Sequence, residues 1–365
     1  ITDISGTSTK TFTLSNTTTS AVTTATFTDE GNGATATSVL NFFPTDGLVP
    51  GAVFLDSYII VSTPSGRLYS SNVGNAAIWD PLDYITAEGE PDTAIGICKH
   101  LNYILSFGQW STEFFYDAGN PIASPLAAAP SYRLELGSAN GNSIVQFEQS
   151  VAWIGRSKQA GSSVFLLDGT SPVKVSTTYI DRYLNASTLD EVSAYAFKFN
   201  GHMFYLLTLH DLNVTIVYDL NEKVWYNWTM WAIGTATSGV EGIYAEQYFR
   251  PSYYCNYNGN LFVLDDDNGS LYNLSATQYT DNGAPIYYKA VTDLIDSGTT
   301  KRKFYSRVEI VGDKIPATMF IRHTDDDYRT WSNYRQVNLN VSRSQIYGCG
   351  ASRRRAWEFL CTDAA

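Results

Sequence analysis

The segment from Gly201 to Trp228 constrains the fold more than any other part of the sequence. It contains three apolar and aromatic runs separated by two short polar turns. In chain order these are the run Met203–Leu209, the turn His210–Asn213, the run Val214–Tyr218, the turn Asn221–Glu222 and the run Lys223–Trp228. Runs of this length joined by tight turns predict neighbouring antiparallel strands. The segment therefore predicts a β-meander.

The composition extends this prediction to the whole chain. Of 365 residues, 44% are hydrophobic and 14% are aromatic, which is enough for a large core. The chain contains 25 Tyr but only 3 Met, and residues such as Tyr, Thr, Val and Phe fit the half-buried surface of a sheet. Helical periodicity is confined to short segments such as Tyr179–Ser187. We expect an all-β protein.

Units similar to this meander recur along the chain at a spacing of roughly 45 to 55 residues, each with three or four strands. The first strand regions of the five units are Ala52–Val61, Thr93–Phe107, Ser143–Ile154, Val192–Asn200 and Ser252–Tyr257. One small sheet cannot cover both of its faces, so such units stack face to face around an axis. The sequence predicts a β-propeller of roughly five to seven blades. A set of β-sandwiches is the alternative fold. The regular spacing of the units favours the propeller over it.

The two ends of the chain differ from these units. Residues 1–50 are Thr/Ser-rich, and Phe12, Leu14, Val22 and Phe27 alternate with polar residues, which favours a β arm or hairpin over a linker. Residues 51–284 hold the propeller blades. Residues 285–365 form a C-terminal β region that could complete the propeller. Its predicted strands are Lys303–Val311, Ala317–His323, Gln336–Val341 and Ala356–Cys361.

The C-terminal region contains a degenerate Asp-box. The octet from Thr324 to Trp331, TDDDYRTW, matches S-x-D-x-G-x-T-W with Thr for Ser and Tyr328 in the Gly position. In such a box an Asp side chain closes a hairpin and the Trp packs beneath it. We interpret the octet as a folding motif, because one imperfect copy is weak evidence for chemistry.

The charge limits the class of partner. A net charge of −12 argues against a protein that binds nucleic acid by neutralising phosphates, although an acidic wall would let DNA slide past. Basic residues cluster at Lys301–Lys303 and Arg353–Arg355, where we favour solvated surface over an interface with an acidic partner. No apolar run reaches membrane-spanning length, so we expect no membrane span.

The sequence offers no catalytic, cofactor-binding or metal-binding residue that we can assign. The cysteines (Cys98, Cys255, Cys349, Cys361) lack a C-x-x-C spacing and are expected to be buried free thiols, with a Cys349–Cys361 pair conceivable. The histidines (His100, His202, His210, His323) show no metal-site spacing, and His202 fits a structural hydrogen bond. The run Asp265–Gly269 misses the EF-hand pattern and predicts a hairpin turn. We therefore expect no cofactor and no enzymatic activity.

A glycan-active propeller, either a glycosidase or a glycan-binding module, is the alternative function. Glycoside hydrolysis needs only a positioned pair of carboxyl groups, and carboxylates are plentiful here. Trp225, Trp228 and Trp231 could stack on sugars, but we favour core packing for them. A Tyr–Glu pair beside clustered arginines in an axial pocket would favour the enzyme, and an open axial region would favour a scaffold.

Four segments in the same order resemble the packaged-DNA stabilisation proteins, also called tail nozzle or tail hub proteins, of short-tailed bacteriophages. They are Trp79–Glu88 (WDPLDYITAE), Ile104–Gly119 (ILSFGQWSTEFFYDAG), Phe165–Leu184 (FLLDGTSPVKVSTTYIDRYL) and the two parts GHMFYLLTL and TIVYDLNEKVWYNW of the opening segment. The resemblance covers most of residues 50–235. The N-terminal strands usual in that family are not evident in the Thr-rich start.

This resemblance implies a structural protein of the virion tail, assembled in the cytoplasm of the host bacterium. Members of the family form a homo-oligomeric ring, usually a hexamer, below the portal and the head-tail adaptor protein. The ring extends the DNA channel without sequence-specific binding, carries tailspikes or tail fibres, and holds a tail needle or plug. The family has no known active site, so no site residue is carried over.

Overall fold

The computed structural model describes residues 24–28, 35–39, 42–120, 123–147, 149–232, 245–265, 268–278, 280–281 and 284–361. The regular secondary structure of these residues is almost entirely β. The helix α1 (Thr178–Ala186) covers all but the last residue of the segment Tyr179–Ser187 predicted to be helical. The chain divides into two compact units, Ile1–Ala196 and Phe197–Ala365. The boundaries predicted after residues 50 and 284 remain predictions.

A hairpin lies within the Thr/Ser-rich start of the chain. Strand β1 (Thr24–Thr28) pairs antiparallel with β2 (Thr35–Val39), with Thr26 opposite Thr37. The pairing of Thr-rich strands is therefore as predicted, whereas Phe12, Leu14 and Val22 lie outside the described residues.

The first unit contains three meander sheets in chain order. Sheet 1 consists of β3 (Val53–Leu55), β4 (Tyr58–Ser62), β5 (Arg67–Asn72) and β6 (Asn75–Thr86). Sheet 2 consists of β7 (Ala94–His100), β8 (Tyr103–Gly108), β9 (Thr112–Asp117) and β10 (Leu126–Ala128). Sheet 3 consists of β11 (Gly137–Ser138), β12 (Val145–Phe147), β13 (Ser150–Arg156), β14 (Ser163–Asp168) and β15 (Ser171–Lys174).

Sheet 2 is covered on both faces, which is the packing expected of a propeller blade. Ile104 and Phe115 lie in a buried cluster with residues of sheet 1. Leu105 and Phe114, one position along each strand, lie in a second cluster with Trp153 of sheet 3. Because successive side chains of a strand point to opposite faces, a strand between two apolar layers carries apolar residues at neighbouring positions. This explains the neighbouring apolar residues Ile104 and Leu105 of β8, a strand that also contains Ser106.

The second unit continues the meander pattern and includes the segment that opened the sequence analysis. Sheet 4 consists of β16 (Val192–Phe199), which begins in the first unit, then β17 (His202–Leu209), β18 (Val214–Asp219), β19 (Val224–Ala232) and β20 (Ala245–Tyr248). Sheet 5 consists of β21 (Pro251–Tyr257), β22 (Asn260–Asp265) and β23 (Leu271–Leu274). The described residues thus contain five blade-like sheets, and the prediction of an all-β propeller is confirmed.

The C-terminal region is also β, as predicted. After the short pair β24 (Thr280–Asp281) and β25 (Ala284–Pro285), it contains β26 (Tyr288–Val291), β27 (Lys303–Phe304), β28 (Arg307–Ile310), β29 (Thr318–Thr324), β30 (Arg335–Asn338), β31 (Ser344–Tyr347), β32 (Ala351–Ser352) and β33 (Ala356–Cys361). A four-stranded sheet has the order β26-β33-β29-β30, while β27 pairs with β32 and β28 with β31. The single strand predicted at Lys303–Val311 is wrong, since β27 and β28 are separate and pair with different partners.

Candidate functional site

A group of charged and aromatic side chains lies on one face of the C-terminal sheet. Arg322 of β29 lies opposite Glu358 of β33, and its Nε and Nη2 donate to the two carboxylate oxygens at 2.7 and 2.9 Å. Tyr334 donates its hydroxyl to Oε1 of Glu358 at 2.5 Å. The guanidinium lies 4.8 Å from the ring centre of Trp331 and 4.5 Å from that of Tyr334. Both charges are therefore fully partnered.

A second arginine is held in the same manner on the other face of the sheet. Arg355 donates from Nε and Nη2 to the carboxylate of Asp325 at 2.7 and 2.8 Å, and from Nη1 to the carbonyl of Cys349. Its guanidinium lies 4.6 Å from the ring centre of Tyr305 and 5.2 Å from that of Trp357. Only 1% of Arg355 is exposed. The prediction of solvated surface for the run Arg353–Arg355 is thus wrong for this residue.

The Asp-box forms the turn next to these arginines. Asp326 accepts hydrogen bonds from the backbone N–H of Arg329 and Thr330 and from the hydroxyls of Thr324 and Thr330. These bonds, led by the Thr330 hydroxyl, lower the pKa of Asp326 to about 2. Tyr328 adopts a φ of 65° at the position where the pattern has Gly. The prediction of a hairpin-closing motif is confirmed.

The Tyr334–Glu358–Arg322 group contains a Tyr–Glu pair beside an arginine, which the glycosidase alternative would place in an axial pocket. A hydroxyl beside a carboxylate could act as nucleophile and base. Here, however, Arg322 occupies both oxygens of Glu358, whose side chain is only 2% exposed. Two cavities found in the described part of the chain are lined by other residues. The geometry is that of an internal ion pair.

The larger of these cavities is an apolar groove of about 300 Å³. It is lined by Tyr288, Ala290, Val308, Glu309, Ile310, Met319 and Phe359. Glu309 is the single ionisable carboxylate among these residues. Because glycoside hydrolysis needs two positioned carboxyl groups, this groove does not supply them.

The predicted structural hydrogen bond of His202 and the predicted turn at Asp265–Gly269 are confirmed. His202 Nδ1 lies 2.7 Å from Oδ2 of Asp219, which is the structural hydrogen bond expected. Asp265 and Gly269 close a turn, in which the Gly269 N–H donates to the Asp265 carbonyl at 2.8 Å. Asp266 and Asp267 lie outside the described residues. Within the described ranges, no three His, Cys, Asp or Glu side chains form a group that could hold a metal ion.

The four cysteines are free. Cys98 and Cys349 are buried as expected, and burial raises the pKa of the Cys98 thiol. Cys361 is half-buried and forms no disulfide, so the conceivable pair with Cys349 does not form. Cys255 is exposed, which contradicts the expectation of a buried thiol.

The aromatic residues of the opening segment pack against other rings. Trp228 lies 6.2 Å from Phe197, 5.6 Å from Phe204 and 5.4 Å from Phe249, measured between ring centres. Trp225 packs on Tyr218 at 4.9 Å. Both tryptophans are half-buried, and the side chain of Trp231 lies outside the described residues. Internal packing is therefore the role of Trp228.

Comparison with known proteins places these observations in a family. A family model described as Phage_stabilise, "Bacteriophage P22 Gp10, beta-propeller", matches residues 1–279. The chain belongs to this family. The tail hub protein gp10 of Salmonella phage P22 is 25% identical over 185 residues, which are 49% of this chain and 37% of that protein. The matched region thus spans little more than a third of the phage P22 relative.

Two solved structures share a weaker similarity. BamB from Moraxella catarrhalis has a TM-score of 0.34 and 10% identity, covering 90% of this chain and 89% of that chain. BBS1N in complex with ARL6DN has a TM-score of 0.34 and 15% identity, covering 65% and 67%. With TM-scores this low, neither structure informs the fold or the function of this chain. Its described residues include no helix that is long and apolar enough to cross a membrane.

Proposed function

We propose that this chain is a structural tail hub protein of a short-tailed bacteriophage. The observation that carries the proposal is the family match over residues 1–279, together with the similarity to the phage P22 tail hub protein. In this proposal the protein forms a ring below the portal and adaptor, extends the DNA channel and stabilises the packaged DNA. It is a component of the virion tail and is assembled in the cytoplasm of the host bacterium.

The packing of the sheets suits a load-bearing wall. Sheet 2 is buried on both faces, with Phe115 against sheet 1 and Phe114 against sheet 3. Close-packed interiors resist compression, so stacked sheets of this kind transmit force without large deformation. The outer strands and loops leave broad surfaces for neighbouring proteins.

The proposed partners follow from the position of a hub. They are further copies of this chain in a ring, with six as the expected number, the head-tail adaptor, tailspikes or fibres, and a tail needle or plug. A closed ring requires head-to-tail contacts between identical subunits. The net charge of −12 favours passage of DNA over adhesion to it.

We further propose that the protein is not an enzyme. The group that most resembles a catalytic site is Tyr334 with Glu358, and Arg322 occupies the Glu358 carboxylate. A glycan-active propeller stays the alternative, and it predicts hydrolysis of aryl glycosides or retention on a glycan array.

The proposal is tested by the mass and symmetry of the assembly. The full chain is purified, its mass is measured by mass photometry, and particles are classified by electron microscopy. Virions are labelled in parallel with an antibody against the chain, and an antibody against a non-virion phage protein serves as the control. A six-fold ring with a DNA-wide channel, and label on the tail, is the expected result. A monomer that does not label virions would overturn the proposal, and glycan substrates would be tested next.

A further inference from the structure

The charge of the chain is unevenly distributed. Residues 285–365 contain thirteen Lys and Arg and nine Asp and Glu, which gives a net charge of +4. Residues 1–284 contain eleven Lys and Arg and twenty-seven Asp and Glu, which gives a net charge of −16. Opposite charges on two parts of one chain attract each other between copies of that chain. The asymmetry therefore favours association of the C-terminal region of one copy with the preceding part of another.

Part of the positive charge is concentrated where two basic runs of the C-terminal region lie side by side. Lys303 belongs to the first run, and its ammonium donates to the carbonyl of Arg353 in the second. It also donates to the carbonyls of Thr299 and Lys301 at 2.7 and 3.0 Å. An ammonium has three N–H donors, so these bonds saturate Lys303 and hold the two runs together. The side chains of Lys301, Arg302 and Arg353 are exposed.

These three exposed cations form no ion pair in the described ranges. The neighbouring arginines differ, since Arg354 pairs with Asp327. Arg355 pairs with Asp325 in the same way. Phe304 directly follows the first basic run and is 84% exposed. We call Lys301, Arg302, Phe304 and Arg353 the basic patch.

Exposed negative charge lies along one edge of sheet 1. Residues 68–98 contain five carboxylates and no Lys or Arg. Strand β6 lies within this stretch and ends the order β3-β4-β5-β6, so it is an edge strand of the sheet. Asp80 and Glu88 are exposed, Asp83 is half-buried, and Leu82 is 72% exposed. We call these four residues the acidic edge.

The local structure of β6 fixes these side chains at the surface. The register between β5 and β6 shifts between Tyr69 and Ser71, and a bulge of this kind changes the direction of the side chains beside it. Oδ1 of Asp80 accepts a hydrogen bond from the Leu82 N–H at 2.8 Å. The backbone at Leu82 is therefore held in place while its side chain stays in solvent.

The carboxylates of the acidic edge have no cationic partner in the part of the chain that the structure describes. Asp80, Asp83 and Glu88 form no ion pair there. Burial raises the pKa of Asp83, and the charge of Asp80 acts in the same direction. A positive charge brought to this edge would stabilise the ionised form of both aspartates.

We propose that the basic patch of one copy of this chain contacts the acidic edge of the next copy. Such a contact joins two different surfaces, as a closed ring of identical subunits requires. Each surface also carries one large exposed apolar side chain, Phe304 on the patch and Leu82 on the edge. Protein interfaces typically place apolar side chains at the centre and charges at the rim. The inference rests on the proposed tail role, because it assigns the surfaces between subunits of the proposed ring.

Duplex DNA is the competing partner for the basic patch. Its phosphates would attract the three exposed cations, but the net charge of −12 repels DNA from the chain as a whole. DNA would also leave the acidic edge without a partner. A second copy of the chain uses both surfaces, which is why we favour it.

The test compares charge-reversed variants of the full chain. The patch variant carries Arg302→Glu and Arg353→Glu, and the edge variant carries Asp80→Lys and Glu88→Lys. All four positions are exposed, so we expect both variants to fold, and circular dichroism checks that they do. Association is measured by mass photometry and sedimentation velocity in about 50 mM NaCl, and again in about 500 mM NaCl, where charges are screened.

We expect each variant to weaken association at least about tenfold at the lower salt concentration. Lys314→Glu with Arg343→Glu is the matched control, since both residues are exposed in the C-terminal region but lie outside the basic patch. The control should associate within about threefold of wild type. The higher salt concentration should weaken the association of wild type as well.

A mixture of the patch variant with the edge variant gives the sharpest result. The reversed patch of one variant is acidic and matches the reversed, basic edge of the other. The unchanged patch and the unchanged edge in the mixture also match. An equimolar mixture should therefore recover at least about half of the wild-type association, with the two variants in alternating order. Misfolding of either variant could not produce this recovery.

Four results would overturn the proposed contact. The first is a patch variant that associates as tightly as wild type, which would leave the ring itself standing. The second is an equimolar mixture that stays monomeric. The third is a patch variant that associates normally but no longer binds a fluorescent duplex of about 20 bp, which would identify DNA as the partner. The fourth is a monomeric wild type at the lower salt concentration, and antibody labelling of virion tails then decides separately whether the tail role fails too.

Discussion

Arg322 and Glu358 form a two-point ion pair across neighbouring strands of the C-terminal sheet, with N–O distances of 2.7 and 2.9 Å. The Glu358 side chain is 2% exposed and that of Arg322 is 26% exposed. Removing one partner of a buried pair leaves the other charge without compensation. The stability of the C-terminal sheet therefore depends on both residues together.

Glu358→Gln keeps the size of the side chain but removes its charge. We expect a loss of about 2–4 kcal/mol in the free energy of unfolding. The Arg322 guanidinium would stay against the rings of Trp331 and Tyr334 but would have no carboxylate to balance its charge. Urea and thermal unfolding measure the loss. Glu309→Gln is the matched control, since Glu309 pairs with Arg307 at 3.7 Å on an exposed strand and should lose less than about 1 kcal/mol. Equal losses in the two variants would contradict this account.

Asp326 gives the Asp-box a specific dependence on pH. Its pKa is lowered to about 2 in the folded protein, chiefly by the Thr330 hydroxyl and N–H. A lowered pKa means that the ionised form stabilises the fold. This contribution is complete above the unfolded value near 4 and is lost as the pH falls toward 2.

Asp326→Asn should therefore have a lower Tm than wild type at pH 7, and the difference should shrink as the pH falls from about 4 to about 2. Differential scanning fluorimetry across this range measures the two Tm values. Thr330→Val removes one donor to Asp326 at 2.6 Å and should reproduce part of the effect. A difference in Tm that stays constant down to pH 2 would show that the charge of Asp326 does not stabilise the turn.

Asp219 holds the turn between β18 and β19 of the opening meander. Its Oδ1 accepts from the N–H groups of Asn221 and Glu222 at 2.8 and 3.2 Å, and its Oδ2 lies 2.7 Å from His202 Nδ1. Burial opposes ionisation of Asp219, but the hydrogen bonds from Glu222, His202 and Asn221 outweigh it and lower the pKa. We expect Asp219→Ala to cost about 2–3 kcal/mol, because two turn N–H groups lose their acceptor.

A double-mutant cycle separates the turn bonds from the histidine bond. His202→Ala should cost about 1 kcal/mol, and the double variant should cost less than the sum of the single variants by about 1 kcal/mol. Urea unfolding at pH 7 provides the four free energies. Additive losses would mean that His202 does not stabilise Asp219.

The sequence predicted the sheets more accurately than the turns within them. The run Thr93–Phe107 contains a hairpin turn at Leu101, with φ of 53°, and the run Ala52–Val61 contains another at Asp56 and Ser57, with φ of 46° and 73°. Left-handed residues are usually Gly or Asn, so Leu, Asp and Ser gave little signal. By contrast, Asn213, with a φ of 55°, lies in the predicted turn His210–Asn213. The left-handed Lys223 directly follows the predicted turn Asn221–Glu222, one residue inside the predicted strand.

The arginine clusters could not be predicted because their partners are distant in sequence. Asp325 lies 30 residues from Arg355, and Glu358 lies 36 residues from Arg322. Only the strand register of β29 and β33, with Arg322 opposite Glu358, brings the second pair together. The Asp-box octet did predict the local turn, since Asp326 and Thr330 are four residues apart.

Gly51 shows where the packing of sheets 1 and 2 leaves no room for a side chain. A Cβ atom built on Gly51 would lie 2.1 Å from the carbonyl oxygen of Ile97, and the residue has a φ of 101°. The neighbouring Pro50 carbonyl accepts a hydrogen bond from the Ile97 N–H at 3.0 Å. The backbone on both sides of the contact is thus held, and neither segment can move without breaking this bond.

Gly51→Ala should therefore destabilise the protein by about 2–4 kcal/mol, combining steric overlap with backbone strain. Gly74→Ala is the control, because Gly74 also has a positive φ, of 66°, but a Cβ atom there meets nothing within 4 Å. It should cost only about 1–2 kcal/mol, the strain of the left-handed conformation. Urea unfolding of the two variants gives the difference. If both lose the same amount, the contact between Gly51 and Ile97 yields to a methyl group, and the packing of the first two blades is looser than the distances indicate.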